Sequence, residues 1–136
     1  MNYMINTPKG VEIYQNKGLI EITCGHNLGR IKHLCMMHLF SYQGYIDSVK
    51  KMLKMSYKIP VYMSENHQWI ATSNIRSYDN IWINMAHVQS YMRSLDGTRI
   101  VFLDKETLWV KNKYEDIKRM VDKLNAIKGY KVKHFQ

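Results

Sequence analysis

The feature that most constrains this chain is a change of hydrophobic period at Pro60. Before it, Leu28, Ile31, Leu34, Cys35, His38 and Leu39 recur every three to four residues, and Tyr45, Ile46, Val49, Met52 and Leu53 resume that period after Gly44. Such spacing puts the side chains on one face of a helix. It predicts two helices, or one helix broken at Gly44, over about 28–54. Asn27 is the expected cap, and Lys50, Lys51 and Lys54 decorate the outer face. Beyond Pro60 the period is two, which belongs to strands. Pro60-Val61-Tyr62-Met63 and Trp69-Ile70-Ala71-Thr72 flank a turn at Glu65-Asn66-His67, and Ile81-Trp82-Ile83 is a short apolar run ending at Asn84. Residues 88–92 and 99–103 flank Leu95-Asp96-Gly97-Thr98, where Asp-Gly is expected to supply the positive φ of a hairpin turn. Thr107-Leu108-Trp109-Val110 forms one more strand.

The helical period returns once. Tyr114, Ile117, Met120, Val121, Leu124 and Ile127 make an apolar stripe that predicts an amphipathic helix over 114–128. Glu115 and Asp116 suit its N-terminal dipole, Lys123 and Lys128 its C-terminal end, and Gly129 is placed to stop it. At the other end of the chain, Val11-Glu12-Ile13-Tyr14 and Leu19-Ile20-Glu21-Ile22-Thr23 alternate across Gln15-Asn16-Lys17-Gly18, the pattern of an N-terminal hairpin. Helices set apart from a run of hairpin-connected strands indicate an α+β fold with a mainly antiparallel β-sheet.

Hydrophobic residues make up 46% of the 136, enough for one packed core, and only Pro8 and Pro60 are prolines. The expectation is a single domain over 1–130 with a basic tail at 131–136. Trp69, Trp82 and Trp109 alternate with aliphatic residues and are expected in the core. No apolar stretch approaches the roughly 20 residues of a spanning helix, and the first residues lack the pattern of a signal peptide. Cys24 and Cys35 are too few for a disulfide framework, so a cytoplasmic location in a reducing compartment is expected.

Signals for catalysis are weak, and no enzyme is expected. Gly25-His26-Asn27-Leu28-Gly29-Arg30 lacks the Lys-Ser/Thr of a phosphate loop and the third glycine of a dinucleotide fingerprint. No Gly-x-Ser-x-Gly elbow occurs. Asp79, Asp96 and Asp104 lie beside strands without the pairing that a hard cation requires. Cys24, His26, His33, Cys35 and His38 place five soft ligands close together, but at no standard finger spacing, and Cys35 falls on the apolar stripe. A buried thiol and unligated surface histidines are the expected reading, with no metal and no cofactor.

Charge points elsewhere. Twenty Lys+Arg against eleven Asp+Glu leave a net charge of +9, and a protein this basic suits a polyanion whose counterions it displaces. Residues 105–133 hold nine basic side chains against four acidic ones. Lys111-Asn112-Lys113 links the last strand to the last helix, so that lysines meet phosphates while an amide reads a base edge. The polar segment Ser73-Asn74-Ile75-Arg76-Ser77-Tyr78-Asp79-Asn80 is a second candidate loop. Ser73, Asn74, Arg76, Asn80, Lys111, Asn112 and Lys113 are therefore the expected DNA contacts, with double-stranded DNA as partner.

From residue 35 onward the order of motifs resembles the competence transcription factor (ComK-like) family. Cys35 with Ser41-Tyr42-Gln43-Gly44 is similar to its Cys, then Ser-Tyr-x-Gly. Ser56-Tyr57-Lys58-Ile59-Pro60 is similar to its Ser-x-Lys-Pro-Pro. Asn66, Trp69, Thr72-Ser73 and Arg76 follow in its order, and Ile81-Trp82-Ile83-Asn84 with Val88 resembles its Trp-centred strand. The likeness spans about 35–127. Tyr45 stands where that family carries arginine, Ile59 replaces a proline, and Ala71 falls where a proline is usual. Residues 76–127 also resemble LytTR-type DNA-binding domains: Ile83-Asn84, the Asp96-Gly97 hairpin, then Val110-Lys111-Asn112-Lys113-Tyr114 before the final helix. Both resemblances imply a β-rich scaffold that places loops on DNA. The competence likeness implies a bacterial or phage activator binding AT-rich promoter DNA as a homodimer or higher oligomer. The alternative is a protein-binding module derived from that fold, antagonising another regulator through a protein partner.

Overall fold

The computed structural model of the protein describes residues 1–15, 18 and 20–135. Along them run strands β1 (Tyr3–Thr7), β2 (Gly10–Tyr14) and β3 (Ile20–Thr23), then helices α1 (Asn27–Met37) and α2 (Tyr42–Leu53). Strands β4 (Val61–Ser64), β5 (His67–Ala71), β6 (Trp82–Asn84), β7 (Val88–Ser94), β8 (Gly97–Phe102) and β9 (Thr107–Val110) follow, and helix α3 (Tyr114–Phe135) ends the chain. A 3-10 turn, Met85–His87, joins β6 to β7. One sheet has the order β3-β2-β1-β6-β5-β4 and the other β7-β8-β9. The described pairings are all antiparallel. The expected α+β architecture is the one observed. No described helix is long and apolar enough to cross a membrane.

Two clusters of apolar side chains hold these layers. Leu28, Ile31, Leu34 and Cys35 of α1 and Tyr42, Ile46 and Val49 of α2 pack on Met4, Val11, Ile13, Val61, Trp69, Ala71 and Trp82 of the larger sheet. The second cluster joins Ile70 and Ile83 to Ile100, Phe102 and Val110 of the smaller sheet and to Ile117, Met120 and Leu124 of α3. Because strand side chains alternate, Trp69 and Ala71 feed one cluster while Ile70 feeds the other, and Trp82 and Ile83 divide the same way. Strands β5 and β6 are thus covered on both faces, which is why they read as short continuous apolar runs.

Several local expectations change. The N-terminal hairpin is present as β2 with β3, paired from Val11↔Thr23 to Tyr14↔Ile20. Asn16 and Lys17, at the centre of its expected turn, and Leu19 lie outside the described residues. A strand not foreseen, β1, pairs with β2 on one side and β6 on the other. Only Met4 among its residues is fully buried, and its apolar run, Tyr3-Met4-Ile5, is too short to show a period. The break between helices lies at 38–41, where Leu39 takes φ 68°, and not at Gly44. Gly44 is inside the first turn of α2, and its N–H donates to the capping Ser41 Oγ at 3.1 Å. The cap of α1 is His26, whose Nδ1 accepts from Leu28 N at 3.1 Å. Asn27 is instead the first helical residue and is fully buried.

The hairpin turn between β7 and β8 is Leu95-Asp96, with Ser94 paired to Gly97. Leu95 adopts φ 48°. Gly97 opens β8, and its lack of a side chain lets Val110 O and the Trp109 ring approach too closely for any Cβ. Trp69 and Trp82 are fully buried as expected. Trp109 is not: it is 48% exposed, with Nε1 donating to Ser94 O at 2.9 Å. Helix α3 passes through Gly129 to Phe135, so the expected tail continues the helix. Glycine at an open helical site costs only about 1 kcal/mol relative to alanine. Beyond it, Tyr130 lines a groove with Tyr45, Val49 and Leu53 and meets the His134 ring at a tilt, ring centroids 4.3 Å apart.

Candidate nucleic-acid interface

The segment from Thr72 to Ile81 is closed at its base by paired polar groups. Thr72 N donates to Ile81 O at 3.0 Å, and Ile81 N donates to Thr72 Oγ1 at 3.0 Å. Asn80 Oδ1 accepts from Ser73 N at 3.0 Å, and Asn80 O accepts from Asn27 Nδ2 at 2.7 Å. Asn6 Nδ2 donates to Tyr78 O at 3.0 Å. Within the loop, Asn74 Oδ1 accepts from Arg76 N at 2.9 Å, a local turn typical of asparagine. These bonds leave Asn74, Arg76, Tyr78 and Asp79 exposed at the tip.

The 111–113 loop is fastened to that segment. Asn112 Nδ2 donates to Thr72 O at 2.6 Å, and Asn112 O accepts from Thr98 Oγ1 at 2.8 Å. Thr98 is fully buried in β8, so this bond anchors the loop to the smaller sheet. Asn112 thereby bolts the two candidate loops together and leaves Lys111 and Lys113 exposed on either side. Lys113 O also accepts from Asp116 N at 3.0 Å, which starts α3.

The seven expected contacts therefore divide. Asn74, Arg76, Lys111 and Lys113 are exposed on adjoining loops. Asn80 is fully buried, which corrects its expected role: its Oδ1 and backbone carbonyl hold the loop together and the side chain offers no edge to a partner. Asn112 is half-buried with its amide donor engaged by Thr72, so it too is a fastening residue. Ser73 is half-buried, and its Oγ is buried without a hydrogen-bond partner among the described residues.

Electrostatics favour an anion here. The ion pairs among the described residues join Arg93 to Glu115, Lys118 to Asp122, Arg119 to Asp116 and Lys128 to Glu65. Arg76, Lys111 and Lys113 take part in none of them. Of the acids closest to Lys113 in sequence, Glu115 is held below the usual carboxylate range by its hydrogen bond to Arg93 first, with a smaller contribution from Lys113, and Asp116 faces Arg119 at 3.1 Å.

A neighbouring element escaped sequence reasoning. Lys58 Nζ reaches Thr72 O at 3.4 Å, the same carbonyl that Asn112 engages. Lys50, Tyr57, Lys58, Asn74 and Arg76 line a cleft of about 180 Å³. Lys58 and Arg76 lie 18 positions apart, and no short spacing signals their approach.

The five soft ligands are dispersed in role. His26 caps α1 and His38 Nδ1 contacts Leu34 O at 2.8 Å. His33 and Cys24 are exposed, and Cys35 is buried, its thiol pushed up to about 11 by burial. Among the described residues, no group of three or more His, Cys, Asp or Glu is placed to hold a metal.

A sequence-family model described as ComK protein matches residues 8–130. No curated protein and no solved structure matches the chain.

Proposed function

The chain belongs to the ComK family, a family of competence-type transcription factors, and on that premise we propose that it binds AT-rich promoter DNA through the 73–79 and 111–113 loops. The observation that carries this reading is the Asn112 bolt. It fastens the 111–113 loop to Thr72, at the base of the loop that carries Arg76, and Arg76, Lys111 and Lys113 are exposed and in no ion pair among the described residues. Lysines there engage phosphates and set the register of the protein on the duplex. Arg76 and Asn74 reach groove edges, and the narrow minor groove of an A-tract attracts arginine. The LytTR-type resemblance over 76–127 supports the same placement. In this reading the protein is a single-domain cytoplasmic regulator without chemistry of its own, working as a homodimer or higher oligomer.

Lys111→Ala/Lys113→Ala is the direct test. Each phosphate contact contributes a slope of about 0.9 to the dependence of log affinity on log salt. Losing two contacts is expected to weaken binding to all duplex sequences and to flatten that slope by about 2. A double variant with wild-type affinity and slope removes these residues from the interface. A wild-type protein that ignores duplex DNA at low salt, yet captures one defined protein, turns the assignment toward a protein-binding module.

A further inference from the structure

Between α2 and β4 the chain turns a corner against its own backbone preference. Tyr57 and Lys58 take φ 59° and 48°, a left-handed region that side chains with a Cβ rarely adopt. Such strain persists where the surroundings over-determine it, and it clusters at functional sites. Here Lys123 of α3 donates to Ser56 O at 3.0 Å and Tyr57 O at 2.8 Å, while Lys58 is tied to Thr72. The result is a Tyr57 ring left 66% exposed, with the Lys58 ammonium 5.4 Å from its centroid.

The ring stands over the 180 Å³ cleft. Apolar side chains of Tyr42, Ile46, Ile59 and Ile75 line its interior, and Lys50, Lys58 and Arg76 supply its charge. Among the described residues, no carboxylate lines it. On the other side of the corner, a second hollow of about 280 Å³ adds Lys123 and the ion pair of Arg119 with Asp116, which is the one acid among its described lining residues. Burial first, then Lys58 and Arg119, hold the Lys123 ammonium below the ordinary lysine range, so positive charge is crowded at this corner. Arg76 belongs both to the cleft and to the 73–79 loop, which makes the two surfaces continuous.

We propose that the sugar–phosphate backbone of DNA runs from the two loops into this cleft, with phosphate oxygens on Lys50, Lys58 and Arg76 and a deoxyribose against the Tyr57 ring. The inference rests on the DNA-binding reading of the loops and extends its footprint to the α2–β4 corner. Cations without carboxylates fit a phosphodiester, and an apolar interior beside an exposed aromatic ring fits the sugar. The bare corner also accounts for an aromatic ring held in water on a strained backbone.

Mobility-shift titrations of a 30-base-pair AT-rich duplex, across a salt series, test this directly. Tyr57→Asn removes the ring with a residue that tolerates positive φ, so the corner keeps its shape. It is expected to bind about tenfold more weakly, as loss of the exposed ring's burial against the sugar implies, with an unchanged salt slope. Tyr57→Phe keeps the ring and is expected to bind like wild type. Lys50→Ala/Lys58→Asn is expected to flatten the slope by about 2. Thermal melts confirm that each variant is folded. If wild type binds and Lys111→Ala/Lys113→Ala weakens it, but the corner variants match wild type, the cleft is not on the DNA path and this inference alone fails. If wild type does not bind duplex DNA even at low salt, the reading of the loops fails and this inference with it.

Discussion

At the scale of single residues, two glycines with the same identity have opposite meanings. Gly97 is pressed against β9: a Cβ there would collide with Val110 O and the Trp109 ring. Gly129 has nothing within reach of a Cβ and sits in the interior of α3. Gly97→Ala is therefore expected to destabilise the protein by about 2–3 kcal/mol through overpacking. Gly129→Ala is expected to stabilise it by about 1 kcal/mol through helix propensity. Urea unfolding of the two variants reads both signs, and equal effects would contradict the packing described. Sequence placed Gly97 in a hairpin turn for its φ freedom. The turn instead forms one residue earlier, on Leu95, because closure against β9 takes the glycine for its missing side chain. Asparagines were the least legible residues. Asn27, Asn80, Asn84 and Asn112 read in sequence as solvent-facing amides, yet each donates or accepts across elements, and such partners are distant in sequence.

At the scale of elements, the Asn112 bolt joins a strand-to-helix loop to a loop 40 positions away in sequence. Asn112→Ala removes a half-buried hydrogen bond and is expected to cost about 1–2 kcal/mol of stability. It is also expected to weaken DNA binding without altering the salt slope, since no phosphate contact is lost. A changed slope would instead make Asn112 part of the electrostatic contact itself. Tyr45 shows the same logic. It stands where the resembling family carries arginine, and its hydroxyl donates to Pro60 O at 2.7 Å and accepts from Tyr62 N at 3.0 Å. That places it in the packing of α2 on β4. The helices and paired strands were legible wherever burial imposes a period. β1 was not, because Tyr3-Met4-Ile5 is too short a run to show a period, and pairing with β2 and β6 sets its place.

At the scale of the whole molecule, ionisable groups from four segments meet beside the larger sheet. His38 ends α1, His67 opens β5, His87 lies in the 3-10 turn and the Met1 ammonium begins the chain. His38 and His67 rings are 5.3 Å apart. Burial, then His38, the N-terminal ammonium and His87, lowers the His67 pKa from the ordinary 6.5. Burial, then the N-terminal ammonium, lowers His87, against opposing contributions from Met1 O and Asp104. A lowered folded-state pKa means the unfolded chain binds more protons just below pH 6.5. The stabilisation is thus complete above about 6.5 and is lost as pH falls through the folded values. The urea midpoint is expected to drop between pH 7.5 and 5.5, above the carboxylate range, and His67→Gln is expected to reduce that drop. An unchanged slope in His67→Gln would place the acid sensitivity elsewhere.

The sequence by itself determined the fold class, the order of most elements and the net positive charge. Hydrophobic period and net charge are local sums that survive without knowledge of the fold. Only the tertiary structure decided which polar residues stay exposed. It buried Asn80, turned Asn112 inward as a bolt and brought Lys58 beside Arg76. The physical reason is that hydrogen-bond satisfaction and charge convergence are properties of pairs far apart in sequence. Their members look alike, exposed or buried, until the chain has closed.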